Sequence, residues 1–186
     1  MALIKITDAT VEPLTLAQAK RHLREDLSDA NNDADIQALI TQARTDCENR
    51  LKSTLIRSTW RLTLDDFPAC LIRLERSPVI SVTSIKYYDA GGVLRTIAAE
   101  AWRTSDHRIQ PVDLYWPLCQ DRIGAVEIEY VAGYGDAAAA VPAPLVAWIK
   151  LAITDLYEQR GRSAERPVLP QAFAEGLLYD YTIWAV

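Results

Sequence analysis

The chain has 186 residues, enough for one domain with a sizeable core or one domain carrying a small subdomain. Apolar residues make up 49% and charged residues 24%, an ordinary globular balance that argues against wholesale disorder. A net charge of −5 argues against a protein built mainly to grip nucleic acid or anionic lipid, though it leaves room for a local basic patch.

Residues 1–13 read as an extended lead-in ending at Pro13. Its short apolar start carries a charge and no cleavage-site pattern, so no signal peptide is expected. Thr15-Leu16-Ala17-Gln18 reads as a capping box opening a helix over about 15–26. A turn-rich break at 27–32 follows, and Asp33 is placed to cap a second helix over 33–52. There Ile36, Leu39, Ile40, Ala43, Cys47 and Leu51 form one apolar stripe, with Gln42, Arg44, Asp46 and Glu48 expected on the opposite face.

The period then becomes two. Ser58, Trp60, Leu62 and Leu64 alternate with Thr59, Arg61 and Thr63, as in a half-buried antiparallel strand. Residues 71–75 suit a short strand. Over 79–88, Ile80 and Val82 share one face while Ile85 and Tyr87 share the other, which calls for a bulge near Thr83. Asp89 to Gly92 form a hairpin loop, and 93–97 the returning strand. Residues 98–122 look irregular, and 125–132 alternate again. Pro144 lies near the start of a third helix, over about 143–160, with Gly161 as its stop.

The expected fold is α+β. It comprises a bundle of about three main helices, a small antiparallel β subdomain (about 54–132) inserted between them, and a C-terminal tail helix. Residues 1–162 would be the main domain and 163–186 a linker and docking tail.

The chemistry of sites is sparse. Three cysteines, Cys47, Cys70 and Cys119, are far apart and show no CxxC spacing, and two histidines are too few for a usual metal cluster. A reducing cytoplasm is therefore expected, with no metal and no cofactor. Gly91-Gly92 and Gly133-Tyr134-Gly135 lack the spacing of a phosphate-binding loop and read as turns. The acidic stretch from Asp29 to Asp35 lacks the glycine and closing glutamate of a calcium loop. Asp65-Asp66, Glu25-Asp26 and Asp33/Asp35 have structural roles at element ends. Ser105-Asp106-His107 are sequence neighbours, whereas catalytic triads converge in space, so no catalytic residue is assigned. Cys47, Trp60 and Trp148 read as core. In the tail, Phe173, Leu177, Tyr181 and Trp184 follow amphipathic spacing and are candidate partner-interface residues.

Several stretches together resemble tailed-phage head–tail connector (adaptor) proteins. Glu12 to Lys20 with His22-Leu23-Arg24 resembles their opening, and Asp35 through Glu48 their second helix. Thr59-Trp60, Asp65-Asp66-Phe67-Pro68, Ser77-Pro78-Val79, Val82-Thr83-Ser84-Ile85, Tyr88-Asp89, Trp116-Pro117, Val131 to Gly135 and Leu156-Tyr157-Glu158 resemble a longer, β-containing branch encoded by prophages. The resemblance implies a structural protein and not an enzyme. It would form a ring of copies, dodecameric on the portal, that extends the DNA channel and meets the stopper or tail completion protein. DNA would pass through without sequence-specific binding, and no membrane would be involved. The implied location is the head–tail junction of the virion, after assembly in the host cytoplasm. Residues 171–186 would then dock on the portal.

Two other readings compete. A nucleic-acid-binding packaging accessory needs a basic face from Lys20, Arg21, Arg24, Arg44, Arg50 and Lys52. An enzyme using the 98–122 loop needs a deep pocket beside Asp106 and His107.

Overall fold

The computed structural model describes residues 1–113, 115–158 and 171–182, the side chains of 171–173 excepted. It is an α+β molecule that divides into two compact units, one of 1–9 with 57–134 and one of 10–56 with 135–186.

The first unit is two antiparallel sheets. Strands β1 (Ala2–Thr7), β2 (Ser58–Leu64), β3 (Ile72–Arg73), β4 (Val79–Tyr88), β5 (Leu94–Thr96), β6 (Trp102–Ser105), β7 (Arg108–Pro111) and β8 (Val126–Ala132) succeed one another along the chain. The larger sheet has the order β1-β2-β8-β4-β5, and the smaller the order β3-β7-β6. Alternation decides what is buried. In β8, Val126, Ile128, Tyr130 and Ala132 are buried while Glu127, Glu129 and Val131 are half-buried. The buried set packs with Trp60, Leu62 and Ile85 of the large sheet and Ile72 and Ile109 of the small one.

The bulge expected near Thr83 is there. The register of β4 against β8 shifts between Val82 and Ser84, and again between Val79 and Ser81, which lets Val82 and Ile85 both reach the core side.

Two expectations for this unit are corrected. Residues 2–7 are an edge strand and not a mere lead-in, so the β unit is not a single insertion: its first strand precedes every helix. Residues 98–122, expected to be irregular, contain the β6–β7 hairpin. Ser105, Asp106 and His107 lie at its turn, with Asp106 in the left-handed region at φ 52°. The alternation was hidden because only Trp102 and Ile109 face inward.

The second unit is helical. It holds α1 (Leu16–Leu23), α2 (Asp33–Leu51), α3 (Ala143–Glu158) and the short α4 (Gln171–Gly176). Helices α1, α2 and α3 touch one another pairwise. The capping box is formed: Gln18 N–H donates to Thr15 Oγ1 (3.2 Å), and Thr15 N–H donates to Gln18 Oε1 (2.9 Å). Helix α1 stops three residues short of the expected Asp26, because Arg24 turns left-handed (φ 61°) and Glu25 N–H closes on the Lys20 carbonyl (2.9 Å). The α2 stripe is buried at Ile36, Ile40, Ala43, Cys47 and Leu51, while Leu39, expected with them, is half-buried. Gly161 and the linker lie outside the described residues.

Candidate assembly surfaces

Four charged residues behave differently from their sequence reading. Asp33 does not cap α2; Asn32 holds that position and makes no side-chain cap bond. The Asp33 carboxylate instead accepts from the buried Lys20 ammonium (2.7 Å), which also donates to the Leu27 and Asp29 carbonyls. Lys20 thereby staples the 24–32 loop. Arg44 and Glu48, placed by helical spacing on the polar face of α2, are both buried. The Arg44 guanidinium donates to Glu12 (2.8 Å) and to Glu48 (3.2 Å), and Glu48 accepts the Leu55 N–H (2.9 Å). No periodicity argument shows this, because Glu12 arrives from outside the helix.

The basic face needed by a DNA-binding reading is therefore depleted. Lys20 and Arg44 are buried in ion pairs. Arg21, Arg24, Arg50 and Lys52 are exposed, and the Arg50 guanidinium lies over the Trp148 ring at 5.6 Å.

The carboxylates at element ends hold turns. The Gly124 N–H and the N-terminal ammonium pull the Asp65 carboxyl below its ordinary range, and Arg95, Val93 and Gly91 do the same to Asp89. Burial pushes the Cys47 thiol up to about 12 and also raises the Tyr130 hydroxyl. Among the described residues no group of three His, Cys, Asp or Glu is placed to hold a metal ion, and no helix is long and apolar enough to cross a membrane. A shallow cavity of about 470 Å³ in the helical unit is lined by Ala138, Ala139, Val141, Ala143 and neighbours, with Lys150 its one charge. Its walls offer apolar contact and no acid–base couple.

The predicted tail anchors are placed unevenly. Leu177 and Tyr181 are half-buried, while Leu178, which spacing did not single out, is buried. Phe173 belongs to α4 but its side chain is not described, and Trp184 lies outside the described residues.

Exposed apolar groups concentrate elsewhere, in the β unit. Ile4 and Ile6 stand out on β1, and Val93 and Leu94 at β5. Tyr115, Leu118 and Ile123 project from the loop before β8, whose base is fixed by Trp116 stacking on Phe67 (5.0 Å, 7°) and by Gln120 N–H on the Tyr88 carbonyl (2.9 Å). Such surfaces on a charged, well-packed molecule mark contact sites.

No protein-family model matches the sequence, and no curated protein does. Solved structures do. The chain is similar to a chain of the neck of an empty gene transfer agent (GTA) particle computed with C6 symmetry, at 28% identity and a TM-score of 0.86. It is similar to a chain of the virion of the native GTA particle (26%, 0.84) and to one of the native neck computed with C12 symmetry (26%, 0.77). Each match covers 100% of this chain and 97% of the other. The structural neighbours are thus components of a phage-like particle, matched from end to end, and two belong to symmetric neck assemblies.

Proposed function

We propose that this protein is a head–tail connector of a phage-like particle. Copies form a ring beneath the portal, extend the DNA channel, and present a surface to the tail completion proteins. The observation that carries the reading is the end-to-end similarity to chains of GTA necks computed with C6 and C12 symmetry. The motif resemblance to phage adaptors supplies the portal and stopper as partners. The acidic balance of 20 Lys+Arg against 25 Asp+Glu suits a conduit along which DNA slides, since like charge avoids gripping phosphate. In this reading nothing is turned over, and the tail, residues 171–186, docks on the portal.

The test is solution mass by light scattering, alone and with a candidate portal protein, followed by electron microscopy of any large species. Closed rings in either condition support the reading. A strict monomer that ignores the portal overturns it.

A further inference from the structure

A ring requires each copy to offer two different patches that fit each other. The larger sheet carries such a pair at its two ends; this inference rests on the ring reading above. We infer that copies join head to tail by pairing the outer edge of β5 on one copy with the outer edge of β1 on the next, continuing the sheet from subunit to subunit.

Strand direction permits it. Every step in the order β1-β2-β8-β4-β5 is antiparallel, so the two end strands run the same way. A copy rotated about an axis along the strands then meets its neighbour through a parallel β5–β1 ladder.

On both end strands, backbone groups point away from the sheet. Thr59 N–H donates to Thr7 Oγ1 (3.1 Å), so it points at β1, and alternation turns Arg61 and Thr63 the same way. Their partners Ile4 and Ala2 face inward, which leaves the N–H and C=O of Leu3 directed outward. On β5, the Val93 carbonyl accepts from Asp89 N–H (2.9 Å) and Ile97 N–H donates to the Ile85 carbonyl (2.9 Å). Leu94 and Thr96 lie between these inward positions and direct their backbone groups outward.

The side chains match by face. Thr96 stands opposite Lys86 and so shares the face of Glu127, Thr63 and Ala2, away from the inter-sheet core; Leu94 and Ile4 share that face by alternation. Ile4 is 54% and Ile6 44% exposed, and Leu94 is 46% exposed. Continuing the sheet brings Leu94 and Ile4 together on one face. An edge strand is normally guarded by outward charge or proline. Here Lys5 is turned to the core face, 5.1 Å from the Trp60 ring, and ion-paired to Asp8 (2.9 Å).

The test uses two variants that block opposite ends. Thr96→Pro removes an outward N–H that the subunit's own sheet does not use, and Ile4→Lys charges the other edge. Sedimentation over a concentration series, alone and with a candidate portal protein, reads assembly; circular dichroism melts establish that each variant folds. Wild type is expected to grow beyond a dimer, and each variant to need about tenfold more protein or greater to associate. An equal mixture of the two variants is expected to form heterodimers and stop, since each still has one open end. A variant that assembles like wild type overturns the edge pairing and leaves the ring reading standing. Wild type that stops at a dimer overturns the edge pairing in favour of a β1–β1 contact. Wild type that stays monomeric in both conditions overturns both.

Discussion

Arg44 sits between Glu12 and Glu48 with almost no water to share the charge. Removing one member of such a network leaves the rest buried and uncompensated. Arg44→Ala is therefore expected to cost about 3–5 kcal/mol in urea unfolding, far more than an exposed ion pair would. Asp89 carries a different kind of charge, half-buried and turn-forming. Its folded-state pKa lies below the ordinary 3.8 because Arg95 and two backbone N–H groups hold the charged form. The stability it contributes is present above that ordinary value and lost as pH falls through the folded pKa. Asp89→Asn should lower the denaturant midpoint at about pH 7, and the gap to wild type should close on acidification to about pH 2. Cys47 gives a third check. A thiol held near 12 inside the core should resist alkylation at about pH 8 until the protein unfolds, while exposed Cys70 reacts at once. The burial of Cys47 was legible from its place in the stripe. That of Lys20 and Arg44 was not, since each is buried by a partner distant in sequence: Lys20 by Asp33 and the Leu27 and Asp29 carbonyls, Arg44 by Glu12.

At the level of elements, the capping box is the most local device in the chain and was the easiest to read. Thr15→Ala should lower stability by about 1 kcal/mol by thermal melt, because the Gln18 N–H loses its acceptor. Strands with a strict period of two, β2 and β8, were equally legible, and the mixed phase of β4 pointed to its bulge. Elements lacking that contrast were missed. In the β6–β7 hairpin most side chains are exposed, so the pattern carries too few buried positions to register as strand. Strand β1 hid for a related reason: two of its exposed positions are isoleucines, so its sequence does not alternate apolar-in with polar-out. The tail anchors were chosen by spacing alone, and the inward turn of Leu178 depends on contacts that spacing does not contain.

For the whole molecule, charge distribution separates the connector from a DNA-gripping accessory. With Lys20 and Arg44 neutralised internally and a net charge of −5, retention of duplex DNA in a gel-shift titration is expected to be weak at about 50 mM salt and lost at about 200 mM. Tight binding with a steep salt slope would favour the accessory instead. The α+β class was readable from element order, but the division into units was only partly so, because β1 lies before the helices and joins strands more than fifty residues later. That division has a temporal side. Strand β8, ending at Ala132, is late in the chain yet central in the sheet, flanked by β2 and β4. During synthesis, at roughly 5–20 residues per second, β1, β2 and β4 must wait several seconds on the ribosome before the strand that joins them emerges. Through that interval the nascent chain holds the apolar faces of β2 and β4 without their common partner, and both edges that β8 will later occupy are open. A stall that holds β8 inside the ribosome after β4 has emerged should therefore lower the soluble yield, whereas one placed late enough to leave β8 outside should not.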